Sequence, residues 1–118
     1  MLVALNFISH HNEELLRERQ KTATIRLGDI RDMYPENSVV WVTYGPKYKP
    51  KQKLYPAFVD KTLVKRMADL TSDELNHQDP DVHTVEELIR AFETIYEKKI
   101  YVEDLVTVIH FSEIVEEK

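Results

Sequence analysis

Two cations and two hydroxyls crowd the stretch Arg19-Gln20-Lys21-Thr22-Ala23-Thr24-Ile25, and a third cation, Arg26, closes it. A threonine hydroxyl attacks an amide carbonyl only when a base takes its proton. A lysine can be that base only if burial or nearby cations pull its pKa down from about 10.4. Arg19 and Arg26 flank Lys21 and supply such cations. The same groups suit an anion or a polarised carbonyl, and a junction between rigid elements presents them at small entropic cost. In purely structural terms, Thr22 and Thr24 are good strand residues, Lys21 a solvated turn residue and Arg26 the partner of an acid.

The elements that must position this junction are legible on either side of it. Leu2 to Phe7 reads as a buried first strand. Asn12 to Arg19 reads as a short helix capped by Asn12, with Glu13 and Glu14 in the first turn, where the helix dipole favours carboxylates. Ala23 to Arg26 is the next strand. In a regular strand Thr22, Thr24 and Arg26 share the face opposite to Lys21, so Lys21 meets Thr24 only if the turn at Gln20-Lys21 breaks the alternation. Leu27 to Ser38 is a connection with one helical turn. Val39 to Tyr44, dense in β-branched and aromatic residues, is the strongest strand and is expected to be central. Tyr55 to Val64 reads as a strand pair or one long bent strand.

Further along, a short helix starts at Leu70-Thr71-Ser72 and a polar loop covers 76–83. Thr84 and Glu87 stand at capping-box spacing. Val85, Leu88, Ile89, Phe92 and Ile95 form one apolar stripe, read as core rather than as a cofactor site. Leu105 to Phe111 is the last strand and Glu113 to Lys118 a charged tail. Uneven strands with two or three inserted helices, in no regular alternation, imply an α+β or small β-barrel domain. Gly28 and Gly45 are the only glycines, which excludes a glycine-rich phosphate loop.

With 118 residues and 42% apolar content, the chain is long enough for one domain spanning 1–118. It has no cysteine, hence no disulfide framework, thiolate metal site or cysteine nucleophile. The apolar start, Met1 to Leu5, lacks a basic lead-in, and no segment approaches the roughly 20 apolar residues that span a bilayer. A soluble, unprocessed, cytoplasmic protein with no membrane partner is expected. The net charge of −5 hides an asymmetry: residues 1–66 carry 12 basic and 7 acidic side chains, residues 67–118 carry 4 and 14. A polyanion would be met by the first half.

The order of first strand, short helix, Lys-Thr-x-Thr-x-Arg junction, strong strand and Thr-capped helix before a last strand resembles the ASCH superfamily. That resemblance implies a small β-barrel related to the PUA RNA-binding domains, with two or three peripheral helices. The superfamily motif is Gly-x-Lys-x-x-Glu-x-Arg; Lys21 and Arg26 match it, Arg19 replaces the glycine and Thr24 the glutamate. Threonine at that place is similar to the bacterial N4-acetylcytidine amidohydrolases of the superfamily. The likeness implies catalytic roles for Lys21 and Thr24 beside a carboxylate ahead of the helix ending in Ile95-Tyr96. Counting back from that helix lands near Asp81, and counting forward from Leu70-Thr71 lands nearer Gln78 or Asp79. No glutamate stands there, so Asp81, or else Asp79, is the expected acid.

The expected function is therefore recognition of RNA or a modified nucleoside at the junction, with Arg26, Thr22, Arg19 and Trp41 as ligand-binding residues. The alternative is hydrolysis of N4-acetylcytidine to cytidine and acetate through an acyl-Thr24 intermediate. A third reading is a protein-interaction domain that offers its acidic half to a basic partner. Gly45 to Lys53 reads as a solvated loop or, functionally, as a basic arm in which Lys47, Lys49, Lys51 and Lys53 contact phosphates while Tyr48 or Tyr55 stacks on a base. His77, Asp79, Asp81 and His83 alternate in a loop that could wrap a metal, but their spacing matches no standard site, and neither metal nor cofactor is expected. The pair His10-His11 reads as a helix entrance, and His110 as alternating out of the core or lining the barrel.

Overall fold

A computed structural model describes residues 3–46 and 48–115. Its strands are β1 (Val3–Phe7), β2 (Ala23–Leu27), β3 (Val39–Tyr44), β4 (Gln52–Arg66) and β5 (Leu105–Glu113), and its α-helices α1 (His10–Arg17), α2 (Ser72–Gln78) and α3 (Val85–Tyr96). The strands make one mixed sheet in the order β1-β3-β4-β5-β2, curled into a half-barrel. β1 runs parallel to β3, and the other neighbours are antiparallel. The α+β expectation holds. The centre, however, belongs to β4, with β3 between it and β1. β4 is one long bent strand, and a register shift between Val59 and Lys61 lets it pair with β5 along most of its length.

Alternation along the strands places the core. Leu5, Phe7, Val40, Val42, Val59 and Phe111 point into the curl and meet Leu16 of α1. Ile25, Val106 and Val108 carry the second half of the core against Leu75, Leu88 and Phe92 of α2 and α3. Fully burying each such side chain is worth roughly 1.5–3 kcal/mol. α3 begins as expected, the Thr84 hydroxyl accepting from the Glu87 N–H, and α2 is started by a full capping box between Thr71 and Glu74. α1 differs. Its N-cap is Ser9, whose hydroxyl accepts from the Asn12 N–H, so the helix begins at His10 and Asn12 lies inside it.

The end of α1 sets up the junction. The Gln20 N–H reaches Leu15 O at 2.9 Å and the Arg19 N–H reaches Leu16 O at 3.1 Å, a Schellman closure that puts Arg19 in the left-handed region at φ 60°. Glycine is the usual occupant of that position, since any other residue gives up about 1 kcal/mol or more there. Arg19 offsets the strain with its own side chain. Nη1 donates to Leu16 O and Arg17 O, while Nε and Nη2 grip both carboxylate oxygens of Glu113 at 2.8 Å.

Candidate functional site

The left-handed turn at Arg19 is what breaks the strand alternation at Lys21. The residue leaves α1, bonds its N–H back to Leu15 O, and precedes β2 rather than belonging to it. Its side chain therefore joins those of Thr24 and Arg26 on the wall of one cavity of about 510 Å³, together with Asn6, Phe7, Gln78, Phe92, Ile95 and Tyr96. The cavity opens between the two edge strands of the half-barrel, β1 and β2, beneath the last turn of α3.

Charge is concentrated on one side of this cavity. Lys21 is 1% exposed, and its Nζ donates to the main-chain oxygen of Gln78 at 2.7 Å and to Gln78 Oε1 at 2.8 Å. Gln78 Oε1 also accepts from the Ile25 N–H at 2.8 Å, so one amide satisfies both the lysine and the free edge of β2. Burial, reinforced by the Arg26 guanidinium and only partly opposed by Asp79, holds the Lys21 amine well below its usual pKa. Arg26 donates from Nη2 to Asn6 O at 2.9 Å and from Nε to Thr24 Oγ1 at 3.3 Å. Its guanidinium and the Lys21 Nζ both sit over the Phe7 ring, at 5.0 and 5.4 Å. Burial lowers the pKa of Arg26 too. Among the described residues neither Lys21 nor Arg26 has a salt-bridge partner, and the Arg26 charge gives the cavity a positive bias.

The other wall is apolar. Phe92 and Tyr96 pack edge to face at 5.3 Å, and the Tyr96 hydroxyl accepts from the Leu27 N–H at 3.1 Å, which fixes the ring against β2. Ile8 and Ile95, 53% and 58% exposed, stand at the mouth. The α3 stripe is thus core through Leu88 and Phe92, with Val85 and Ile89 packed against them. Its last turn overhangs the cavity, and Ile95 belongs to the wall rather than to the packed interior.

The remaining expected residues fall elsewhere. Asp81 is 81% exposed on its side chain and does not line the cavity. Asp79 is engaged on both oxygens, accepting from the Asp81 N–H and bonding His11 Nε2 at 2.9 Å. The carboxylate expected beside Lys21 is therefore replaced by the Gln78 amide, because α2 ends at Gln78 and the chain turns away immediately after it. Arg19 and Thr22 line a smaller cavity of about 240 Å³ with Tyr55, whose ring lies 4.0 Å beneath the Arg19 guanidinium. Trp41 alternates with the inward Val40 and Val42, faces the other side of the sheet and carries Lys53 at 4.8 Å over its ring. Lys49, Lys51 and Lys53 belong to the β3–β4 hairpin; Lys47 lies outside the described residues.

The alternating His77, Asp79, Asp81 and His83 set is not one cluster. His77 packs edge-on against His110 at 6.4 Å, while Asp79 and Asp81 are joined by His11, the three offering ligand atoms within 4.8 Å of one another. Gln78, Asn6, Phe7, Phe92, Ile95 and Tyr96 were not among the expected site residues. Only the forward count from Leu70-Thr71 pointed to one of them, Gln78.

No family model matches this chain, and no curated protein matches it either. Solved structures do. It is similar to a protein from Enterococcus faecalis V583 assigned to the family model DUF984, with a TM-score of 0.62 and 19% identity over 86% of this chain, which spans 65% of that protein. It is similar to an ASCH domain from Lactobacillus crispatus JV V101, with a TM-score of 0.63 and 10% identity over 95% of this chain and 79% of the other. A third likeness, to the hypothetical protein PH0355, has a TM-score of 0.67 and 17% identity over 97% of this chain and all of that one. No helix among the described residues is long and apolar enough to cross a membrane. At these identities the likeness is one of fold, and the fold of this chain is ASCH-like.

Proposed function

We propose that this chain binds a nucleoside-type ligand, free or within RNA, in the cavity between β1, β2 and α3. The observation that carries the reading is the convergence of Lys21, Thr24 and Arg26 on one cavity of about 510 Å³ whose opposite wall is Phe92, Ile95 and Tyr96. An apolar and aromatic wall facing a few convergent polar groups suits a flat heterocycle with exocyclic acceptors. The β3–β4 hairpin adjoins the same place. The Gly45 N–H donates to Phe7 O at 3.0 Å and Asn6 Nδ2 donates to Gly45 O at 3.2 Å, so the lysine-bearing loop leaves the sheet next to two cavity residues. That adjacency favours a ligand with phosphates attached.

The test is calorimetric titration of the chain with cytidine, N4-acetylcytidine, uridine and short RNA oligomers carrying them, beside Arg26→Gln. Binding of one nucleoside class that weakens at least about tenfold in the variant supports the reading. Equal or absent binding across the panel overturns it.

A second reading, hydrolysis of N4-acetylcytidine, draws on the presence of Lys21 and Thr24 in the same cavity. Thr24 Oγ1 would attack the acetyl carbonyl, with the Lys21 amine taking its proton and then returning it to the departing N4 amine; water, deprotonated in turn by Lys21, would then cleave the acetyl-Thr24 ester, releasing acetate and returning the proton to Thr24 Oγ1. In this chain the burden falls on Lys21, since the Gln78 amide holds the lysine but cannot carry a proton. Release of acetate and cytidine by the unmodified chain, and not by Thr24→Val, would establish it.

A further inference from the structure

Lys21 is the single buried lysine among the described residues, and it has no carboxylate at bonding distance. Its hydrogen-bond acceptors are two neutral oxygens of one residue. An ammonium has three protons to place and an amine two, so these two acceptors match the amine and leave one position on the nitrogen for a lone pair. Beside it, Arg26 spends Nε and Nη2 on Thr24 and Asn6, while its Nη1 makes no hydrogen bond among the described residues. An amine poised to attack and a guanidinium with a free donor thus share one wall of the same cavity.

We propose that Lys21 captures carbonyls covalently: its amine condenses with the aldehyde or ketone of a small carboxylic acid in the cavity while Arg26 holds the acid's carboxylate. The nitrogen lone pair adds to the carbonyl carbon, the resulting carbinolamine loses water, and an imine forms with no oxidant or reductant consumed. Protonation from solvent gives the iminium. The iminium keeps a single N–H, and the surrounding bonds accommodate that loss. The remaining proton goes to Gln78 O, while Gln78 Oε1 stays satisfied by the Ile25 N–H. Burial first and Arg26 second oppose protonation of Lys21, and Asp79 favours it from a position tied to His11. The reading does not depend on a nucleoside ligand, since it needs only the amine, the guanidinium and the cavity.

The probe is glyoxylate, which joins an aldehyde to a carboxylate in the smallest form, with cyanoborohydride present to reduce the imine to a stable carboxymethyl amine. Labelling of the full chain near neutral pH is followed by peptide mass mapping. Lys21 is expected to be labelled at least about tenfold faster than any exposed lysine, such as Lys61 or Lys98, because each unit by which its pKa is lowered raises the free-amine fraction tenfold. Labelling of Lys21 no faster than the exposed lysines overturns the proposal. Two variants separate its parts. Lys21→Met should abolish the fast adduct while slow surface labelling persists. Arg26→Gln removes a cation that opposes protonation of Lys21, so labelling by both aldehydes should slow, and the preference for glyoxylate over acetaldehyde, which has no carboxylate, should be lost; an unchanged preference overturns the role given to Arg26. Because no nucleoside enters the assay, a failure of nucleoside binding and a failure of carbonyl capture are read separately.

Discussion

Arg26, on one edge strand of the half-barrel, donates to the main-chain oxygen of Asn6 on the other edge strand at 2.9 Å. The sheet is not closed by backbone pairing across this gap; a guanidinium crosses it, and the cavity lies where the strands part. Arg26 is thus both a brace and part of the cavity wall. Arg26→Gln removes charge-assisted hydrogen bonds, each worth about 1.5–3 kcal/mol, but also removes a buried cation with no carboxylate partner. The expected outcome is a loss of ligand affinity of about 10- to 100-fold with a stability change below about 1 kcal/mol in urea denaturation. A large fall in stability with unchanged affinity would make Arg26 a brace alone.

Gln78 holds the Lys21 nitrogen with two neutral oxygens and no carboxylate. A carboxylate at hydrogen-bond distance favours the ammonium and raises a lysine pKa by about 1–3 units. Gln78→Glu places one at the oxygen that now sits 2.8 Å from Nζ. The variant should show a raised Lys21 pKa by lysine side-chain NMR and a slower reductive adduct with glyoxylate. An unchanged titration would mean that the 78 side chain does not face the amine in solution.

Stability should carry the mark of Lys21 across alkaline pH. Burial holds its folded pKa well below the ordinary 10.5, so between the two the unfolded chain binds more protons, and stability rises with pH through that window. Tyr55 sets the upper limit. Burial pushes its hydroxyl up from 10.0 to about 12, against the pull of Arg19, so above pH 10 the unfolded chain loses that proton first and stability falls. Thermal melts from pH 7 to 10 should show the unmodified chain gaining on Lys21→Met, and near pH 7 the methionine variant should be at least as stable. A parallel pair of curves would place Lys21 in water.

What was legible in the sequence is what neighbours in sequence determine. Thr84 and Glu87 announce α3 because a cap is settled within one turn, and Val39 to Tyr44 announces β3 because its residue types suit a pleated surface. The site is non-local: Lys21 and Gln78 are 57 residues apart. Chemistry points to an acid beside a catalytic lysine, so the aspartates past the end of α2 drew the expectation away from a neutral amide. Trp41 shows a second limit of the sequence. Alternation tells that Trp41 and Val42 face opposite sides, but not which side holds the cavity. At Arg19 the φ of 60° suits the glycine of the motif, and arginine is held there by its side-chain bonds to Glu113, 94 residues away, a pairing that sequence neighbours do not reveal.

That left-handed arginine makes a stability prediction of its own. Arg19→Gly relieves about 1 kcal/mol of backbone strain but forfeits the paired bonds to Glu113, the caps on Leu16 O and Arg17 O, and the stacking on Tyr55. These contributions nearly cancel for a half-exposed pair, so the variant should melt within a few degrees of the unmodified chain, whereas Arg19→Ala, which keeps the strain and loses the contacts, should be the less stable of the two. The reverse order would mean that the turn at Arg19 is not strained.

The basic hairpin makes the remaining prediction. Lys51 is not available as a free phosphate contact, since its ammonium folds back onto Pro46 O and Lys49 O, and Lys53 lies over Trp41. Lys51 also packs against Gly45: a Cβ there would meet Lys51 Cδ at 2.9 Å and Pro50 O at 3.0 Å. Lys49 is exposed and has no such task in the loop. If RNA lies along the hairpin, Lys49→Ala should weaken oligomer binding uniformly across sequences and flatten the dependence of log affinity on log salt by about 0.7, one counterion's share on a single strand. Free-nucleoside binding should be untouched, because Lys49 does not line the cavity. An unchanged salt slope would take the hairpin out of the contact and leave the cavity as the whole of the recognition surface.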